Sequence, residues 1–515
     1  MAVPGERRRS WATRDRRDES GYFVAMLALS LTVVMVSAAF VVDVGGWYAV
    51  GSRMKRAADA AALAGVVWMP DFPTARSVAL GAAARNGWVP GADVSITVSP
   101  DPGNSRRLSV SITDTKAPQT FSKIFQGSQS LTRSATAEYV LPVPLGSPKN
   151  TFGTGDLLPG TDRENFWAAA NGYCAGHESG DLKLARFESY TTASGGAPQC
   201  NNGSAQSPDY DPTGYLYAIE LPQAQTSLKL EVYDGGYNTS GSSPDLALAS
   251  DPQAVTTVFE VYGADNTPLD TSDNPLLSTT TITTDDVVRQ NLWTPLYTWV
   301  NPSAGTYYLR IKTSPQTTES RASNGFGLRA STGLLFTPCT TISGQPGYSA
   351  SCPQIHGVGD MSIFANLGGA AGSVASFYLA QIDPVHAGKT MQVSLFDAGE
   401  GAQKIEVLDP NGSPATFNWS TTCNPPTPPT GGCSGSNVTS LDVSGTGTQP
   451  YAGLRGTSKY NDRKMTLDIK LPVNYTALYG TRNWWQIRYT VGTTPTDRTT
   501  WSVNIVGDPV HLVGG

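Results

Sequence analysis

Two short runs repeat a histidine, a glycine and an aspartate at one spacing: His177-Glu178-Ser179-Gly180-Asp181 and His356-Gly357-Val358-Gly359-Asp360. Aspartates beside glycine turns supply hard oxygen ligands. Asp181 and Asp360, joined by Asp234, Asp397 or Glu400, are therefore candidates to hold calcium, a stiffener of exported β-modules. A Gly-Asp pair also forms a turn leading into a strand with no metal, which is the plainer reading, so no cofactor is required. Other chemistries each lack a necessary residue. His386-Ala387-Gly388-Lys389-Thr390 imitates the end of a phosphate-binding loop, but Asp383 occupies the place of its first glycine. His177-Glu178 has no second histidine to complete a zinc-protease helix, and no G-x-S-x-G nucleophile elbow occurs. We name no catalytic residue and expect no enzyme.

The six cysteines, Cys174, Cys200, Cys339, Cys352, Cys423 and Cys433, all fall in the last two thirds of the chain. An even count without a C-x-x-C suits disulfides in an oxidising compartment rather than zinc or redox chemistry. Sequence-adjacent pairing (Cys174–Cys200, Cys339–Cys352, Cys423–Cys433) is the expectation adopted among the fifteen possible connectivities. Trp293, Tyr297, Trp299, Trp484, Trp485 and Trp501 could line a sugar-binding face, but alternating aromatics in strands belong more often to a core, which is the reading adopted.

The elements that must position these residues follow from composition. Charged residues make up 15% of the 515, against about 25% in ordinary soluble proteins, while Gly (53) and Pro (36) are plentiful. Short strands and many turns, as in an extracellular β-protein, are the expected result. A net charge of −6 disfavours nucleic acid as a partner. Residues 21–42 carry no charge and are long enough to cross a bilayer as a helix. Six arginines precede them within residues 1–20, so this basic tail should remain cytoplasmic and the bulk of the chain should lie outside. The remainder then carries 30 basic and 38 acidic residues, net −8. A permanent anchor is the reading adopted, beside signal-peptidase cleavage after Val36-Ser37-Ala38 and prepilin-type cleavage near Gly21. The helical pattern continues past the membrane through an alanine-rich stem to the stop at Pro70, with Gly45-Gly46 as a possible kink.

Four features stand in order here: the apolar segment 21–42, Asp43-Val44-Gly45-Gly46-Trp47-Tyr48, the basic Arg53-Met54-Lys55-Arg56, and Ala57-Ala58-Asp59-Ala60-Ala61-Ala62-Leu63-Ala64. Ala82–Gly87, Pro118-Gln119-Thr120-Phe121 and Ala135-Thr136-Ala137 follow them. Over about residues 21–140 the chain resembles TadG-like (TadE/TadG-type) proteins of the bacterial Flp/Tad pilus-assembly system. Asp43, Gly45, Trp47 and Ala57 to Ala64 carry that resemblance. Pilin-like members of the wider group have Glu at the fifth position after a cleaved glycine; counted from Gly21, that position is Met26. The resemblance implies a single-pass structural or interaction component of a pilus-assembly or surface-secretion apparatus in the bacterial cytoplasmic membrane. Other pilus-assembly proteins would be its partners, with residues 43–65 as the contact. The alternative is a surface adhesin or carbohydrate-binding protein using the same anchor, with a cell-surface glycan as ligand.

The expected class is α+β and membrane-anchored: one transmembrane helix with its stem, then a mainly-β exported part of two jelly-roll-like β-sandwich modules. Residues 1–20 form the tail, 21–42 the span, 43–140 the stem with a small β-layer, and 141–150 a Pro-rich linker. Modules at 151–330 and 331–515 complete the chain. They are suggested by a weak repeat, in which Tyr215–Ile219 parallels Phe377–Ile382 and Thr306–Ile311 parallels Trp484–Tyr489.

Overall fold

A computed structural model describes residues 17–69, 72–101, 104–124, 127–139, 142–153, 166–176, 179–187, 206–238, 245–246, 254–265, 271–314, 323–333, 335–366, 371–422, 432–445, 458–492, 496–506 and 510–513. It divides into two compact units, Met1–Val140 with Val510–Gly515, and Leu141–Pro509.

In the first unit, α1 (Arg17–Val66) is one unbroken helix of 50 residues, about 75 Å long at 1.5 Å per residue. It passes through Gly45-Gly46 without interruption. Its apolar N-terminal part is exposed on all sides between Gly21 and Val42, apart from the half-buried Ala39. It is the one helix among the described residues long and apolar enough to cross a membrane. Beyond Asp43 the helix becomes the core of a small α/β layer. It packs against α2 (Phe72–Arg85) and the sheet of β1 (Val94–Asp101), β2 (Asn104–Ala117) and β3 (Gln129–Tyr139). β3 pairs not only with β2 but also with a C-terminal strand, residues 510–513, whose Val510 lies opposite Tyr139. The 331–515 module expected from sequence is corrected at this end, because its last strand belongs to the stem's sheet. Leu141–Pro509 is thus an insertion between two neighbouring strands.

In the second unit, the first strands are β4 (Pro144–Gly146), β5 (Thr151–Phe152), β6 (Phe166–Asn171), β7 (Tyr215–Leu221) and β8 (Ser227–Asp234). Next come β9 (Tyr237–Asn238), β10 (Asp245–Leu246), β11 (Thr256–Ala264), β12 (Leu276–Thr283) and β13 (Trp293–Val300). β14 (Gly305–Thr313), β15 (Ser323–Ser331), β16 (Gln354–Val358), β17 (Asp360–Asn366) and β18 (Val374–Gln381) follow. The run ends with β19 (Thr390–Phe396), β20 (Ala402–Leu408), β21 (Phe417–Thr421), β22 (Ser434–Val438) and β23 (Leu441–Asp442). β24 (Lys464–Lys470), the short α3 (Tyr475–Tyr479), β25 (Trp484–Val491) and β26 (Thr496–Val506) close the unit, and the C-terminal strand is β27 (Val510–Val513). Period-two burial explains most of them. In β18 the buried Ala375, Phe377 and Leu379 alternate with the exposed Val374 and the half-buried Ser376 and Tyr378, as a strand with one face on a core must.

The strands form two sheets around one apolar core. One runs β13-β8-β15-β6-β17-β26-β19-β24-β21-β22 and the other β12-β11-β14-β7-β16-β4-β18-β25-β20-β23. Each order inverts about its middle. β6, β15, β8 and β13 correspond to β17, β26, β19 and β24, while β7, β14 and β11 correspond to β18, β25 and β20. This is the arrangement of two sandwich repeats related by a pseudo-two-fold axis. The repeats share both sheets, since β6 pairs with β17 at the centre of one. In the other, the leading strands are exchanged: β16 opens the second repeat but pairs with β7 of the first, and β4 precedes the first repeat but pairs with β18 of the second. The expected linker at 141–150 is corrected accordingly. Leu145 is fully buried at the join, and the boundary near 330 does not separate two independent bodies.

His356 stands on the exchanged strand β16, 6% exposed, with Nε2 4.0 Å from a carboxylate oxygen of Glu220. Burial pushes its imidazole down to about 4. In an unfolded chain a histidine titrates near 6.5, so between these values the unfolded state binds the extra proton. Stability contributed above pH ~6.5 is therefore lost as pH falls toward ~4, by about 3 kcal/mol from this group. Denaturant midpoints across that window should fall more steeply for the native chain than for His356→Gln. Equal slopes would show that the imidazole is not desolvated.

Candidate functional site

The motif at the membrane end of the stem forms a lock with a segment far away in sequence. Asp43 sits on α1 where the exposed apolar stretch ends, yet it is only 3% exposed. Its carboxylate accepts the backbone N–H groups of Thr120 (2.8 Å), Phe121 (2.9 Å) and Ser122. These donors lie at the start of the 3-10 turn Ser122–Ile124, where unpaired amides point out of the turn and favour an anion. The hydrogen bond from Ser122, followed by those of its neighbours, outweighs burial and holds the Asp43 carboxyl well below the usual carboxylate range. One helical turn on, Trp47 Nε1 donates to Pro118 O at 3.0 Å, and its ring meets Phe40 edge-on at 6.4 Å. Asp43 and Trp47 together clamp the Pro118–Ser122 segment to the helix. Gly45 has open space where a Cβ would stand, and nothing in the structure explains a glycine there.

Asp43→Ala removes the acceptor of three backbone amides, that of Ser122 buried, and should release residues 118–124. Hydrogen exchange of those amides should accelerate by tenfold or more, because charge-assisted bonds of this kind are worth over 1.4 kcal/mol. Unchanged protection would show that the segment is held elsewhere.

The alanine run is consumed inside the same unit. Ala57, Ala58, Ala61 and Ala62 are 0–1% exposed against α2 and the sheet. Ala60, Leu63 and Ala64 flank them half-buried, and Asp59 pairs with Lys55 at 2.7 Å. Lys55 Nζ also donates to Ser134 O on β3. Within residues 43–65 the alanine face is therefore closed to a partner, and the outward side chains, Tyr48, Arg53 and Arg56 among them, are the ones left exposed. Small side chains bring helix and sheet of one chain together, and that face is covered.

Asp181 and Asp360 are brought near each other, around Lys183 and Tyr215. Asp181 is fully buried and accepts Asn171 N, Lys183 N, Leu184 N and Tyr215 Oη, so both its oxygens are committed to protein donors. Asp360 pairs with Lys183 Nζ at 3.0 Å, so an ammonium stands where a cation would. The paired motifs are not structurally equivalent: Asp360 begins β17, whereas Asp181 follows β6, the strand that corresponds to β17. His177 and Glu178 lie outside the described residues. Among the described residues no three His, Cys, Asp or Glu side chains are grouped to hold a metal.

Cys339 and Cys352 form a disulfide, and Cys174 and Cys433 are also disulfide-bonded. Their expected partners Cys200 and Cys423 lie outside the described residues. Of the aromatics, Trp299, Trp484, Trp485 and Trp501 are 0–7% exposed, and Trp293 and Tyr297 are half-buried, so they pack rather than form an open face. A separate cleft of about 330 Å³ opens at the end of the second repeat, beside Asp409, Asn418, Asp468, Lys470 and Tyr479.

Residues 21–84 match the family model described as "Putative Flp pilus-assembly TadE/G-like". No curated protein matches the chain. Among solved structures, the N-terminal CBM22-1-CBM22-2 tandem domain from Paenibacillus barcinonensis Xyn10C is 11% identical. It covers 83% of this chain and 93% of its own, with a TM-score of 0.13. Cucumber Necrosis Virus is 11% identical over 81% of this chain and 90% of its own, with a TM-score of 0.14. Scores this low carry no argument about fold or ligand.

Proposed function

We propose, from an N-terminal region that matches the TadE/G-like family, that this chain is a membrane-anchored structural component of a Flp/Tad-type pilus-assembly or surface-secretion apparatus. The observation that carries the reading is the coincidence of motif and architecture. The family match spans the helix 21–66, and its Asp43 and Trp47 fix the first folded segment beyond the apolar stretch. Residues 21–42 anchor the chain, the basic tail stays cytoplasmic, and the double-repeat sandwich lies outside the membrane. The disulfide-bonded cysteines suit that side. With the alanine face covered, contacts with the apparatus fall to the apolar helix and to exposed stem residues such as Tyr48 and Trp68.

A photo-crosslinker placed at Tyr48 or Trp68 of the full chain, in the native membrane, should capture other Flp/Tad assembly proteins, identified by mass spectrometry. Capture of lipid alone at both positions would overturn the reading. A reporter fused to the C-terminus tests the orientation, being active outside and silent inside.

A second reading, a glycan-binding surface protein on the same anchor, is favoured by the cleft alone. Asp409, Asn418, Asp468 and Lys470 offer acceptors and donors for hydroxyl groups beside the Tyr479 ring. A glycan array probed with the detergent-solubilised chain tests it, with loss of signal in Asn418→Ala as the expected control.

A further inference from the structure

The pseudo-two-fold relation sets two aspartates at equivalent places. Asp234 ends β8 on the face of Leu228, Leu230 and Val232; Asp397 follows β19 on the face of Met391, Val393 and Leu395. Both are 1% exposed. Their surroundings differ. Asp397 accepts the backbone N–H of Asp462 at 2.7 Å, from the loop that leads into β24. In the first repeat the corresponding loop leaves the Asp234 side chain untouched and bonds only its backbone, through Asn291 N to Asp234 O. Both carboxylate oxygens of Asp234 are buried without a hydrogen-bond partner.

Two further side chains in the same corner share that condition. Asn324 is fully buried, and neither its amide oxygen nor its amide nitrogen has a partner. It lies two residues along the core face of β15 from Phe326, whose Cα partner is Asp234, so it is the diagonal neighbour of Asp234. Thr257, also fully buried, has an unpartnered hydroxyl and stands two residues along β11 from Phe259. The rings of Phe259 and Phe326 meet edge-on at 5.3 Å across the sandwich. Trp299 packs on Tyr307 at 5.0 Å, and their Cα partners are Leu228 and Ala264, which fixes the far end of the interior. Thr257 is therefore at the Asp234 end. Five unpartnered buried polar atoms thus stand at one end of the sandwich interior: two carboxylate oxygens, an amide oxygen and nitrogen, and a hydroxyl.

Leaving such groups unpaired costs about 1–3 kcal/mol each, and more for a charge, so native proteins fill such places with water or an ion. Four of the five atoms are oxygens, the donor set of a hard cation. We infer that the corner formed by Asp234, Asn324 and Thr257 in the first repeat binds a calcium ion that stiffens the sandwich. The twin corner at Asp397 does not, because a loop amide already serves its carboxylate. One carboxylate with neutral oxygens gives affinity near the ~10⁻⁴–10⁻³ M of extracellular modules, matched to an exported chain.

Thermal unfolding of the full chain in micelles, with calcium and with chelator, tests this. At calcium about tenfold above Kd the melting temperature should rise by roughly 2 °C, while magnesium should leave it unchanged. Asp234→Asn should abolish the calcium shift yet melt no lower than the native chain in chelator, since it removes a buried unpaired charge. Asp397→Asn should keep the shift. Thr257→Val, which preserves volume, should weaken calcium binding in titration calorimetry and stands in should Asp234→Asn not fold. No calcium heat and no shift in the native chain, or an undiminished shift in Asp234→Asn, would overturn the inference and leave buried water as the occupant.

Discussion

Residues 151–330 and 331–509, produced as separate chains, should each fail to fold cooperatively, whereas Leu141–Pro509 should fold as one body. Cutting near 330 removes β16 from its place between β7 and β4, and β17 from beside β6. The first half would then expose β6 and β7 as open edges at the middle of both sheets. The second half would lose β4 from the edge of β18. Central strands carry apolar side chains on their faces and have none of the charged or proline-blunted character of a natural edge, so the open ladders would pair between molecules. β6 shows this plainly, with all six residues of Phe166–Asn171 buried. Size-exclusion chromatography and near-ultraviolet dichroism of the three products decide the matter. A sharp thermal transition in either half alone would mean that the exchanged strands are dispensable.

The same exchange explains what the sequence left hidden. Alternation made β7, β14, β18 and β25 readable, because period-two burial is local, whereas the paired H-x-x-G-D runs fall at non-equivalent places. Which strands become neighbours is not local. Pro142, Pro144 and Pro148 gave residues 141–150 the composition of a stiff spacer, and a three-residue strand carries too little alternation to contradict it. The C-terminal Val510–Val513 was absorbed into the last module for the same reason: its partner β3 lies more than 370 residues away. At the candidate site, Asp43, Trp47 and the Pro118–Phe121 segment were all visible as family features. That the first two hold the third required geometry. Alanine misled for a physical reason, since small side chains permit close approach to any helix or sheet and do not state whether it belongs to the same chain. The Asp234 corner was legible only in part: Asp234 stood among the calcium candidates, but Asn324 and Thr257 are ordinary strand residues until their missing partners are seen.

Gly65→Leu is expected to undo the packing of the stem while leaving the sandwich intact. A Cβ at residue 65 would stand 2.6 Å from Leu108 Cδ2, 2.8 Å from Ala75 O and 2.9 Å from Ala79 Cβ. Leu108 can rotate away, but Ala75 O is backbone of α2 and Ala79 is fully buried behind it, so α2 itself must move. Two effects compete for Gly65→Ala. Replacing glycine inside a helix gains about 1 kcal/mol of propensity, whereas forcing a carbon into a filled core costs about 1–3 kcal/mol, so a net loss of up to ~2 kcal/mol follows. Leucine brings three more carbons with no cavity to receive them and should cost above ~3 kcal/mol, a large share of what a small layer can have. Gly45→Ala is the internal control. Its Cβ meets nothing within 4 Å, so it should stabilise the helix by up to ~1 kcal/mol. Hydrogen exchange of the full chain in micelles separates the outcomes, because the two compact units report on different peptides. Gly65→Leu should lose protection in α2 and β1–β3 while β6–β26 keep theirs. Retained protection across α2 would mean that α1 and α2 do not meet as closely as this glycine requires.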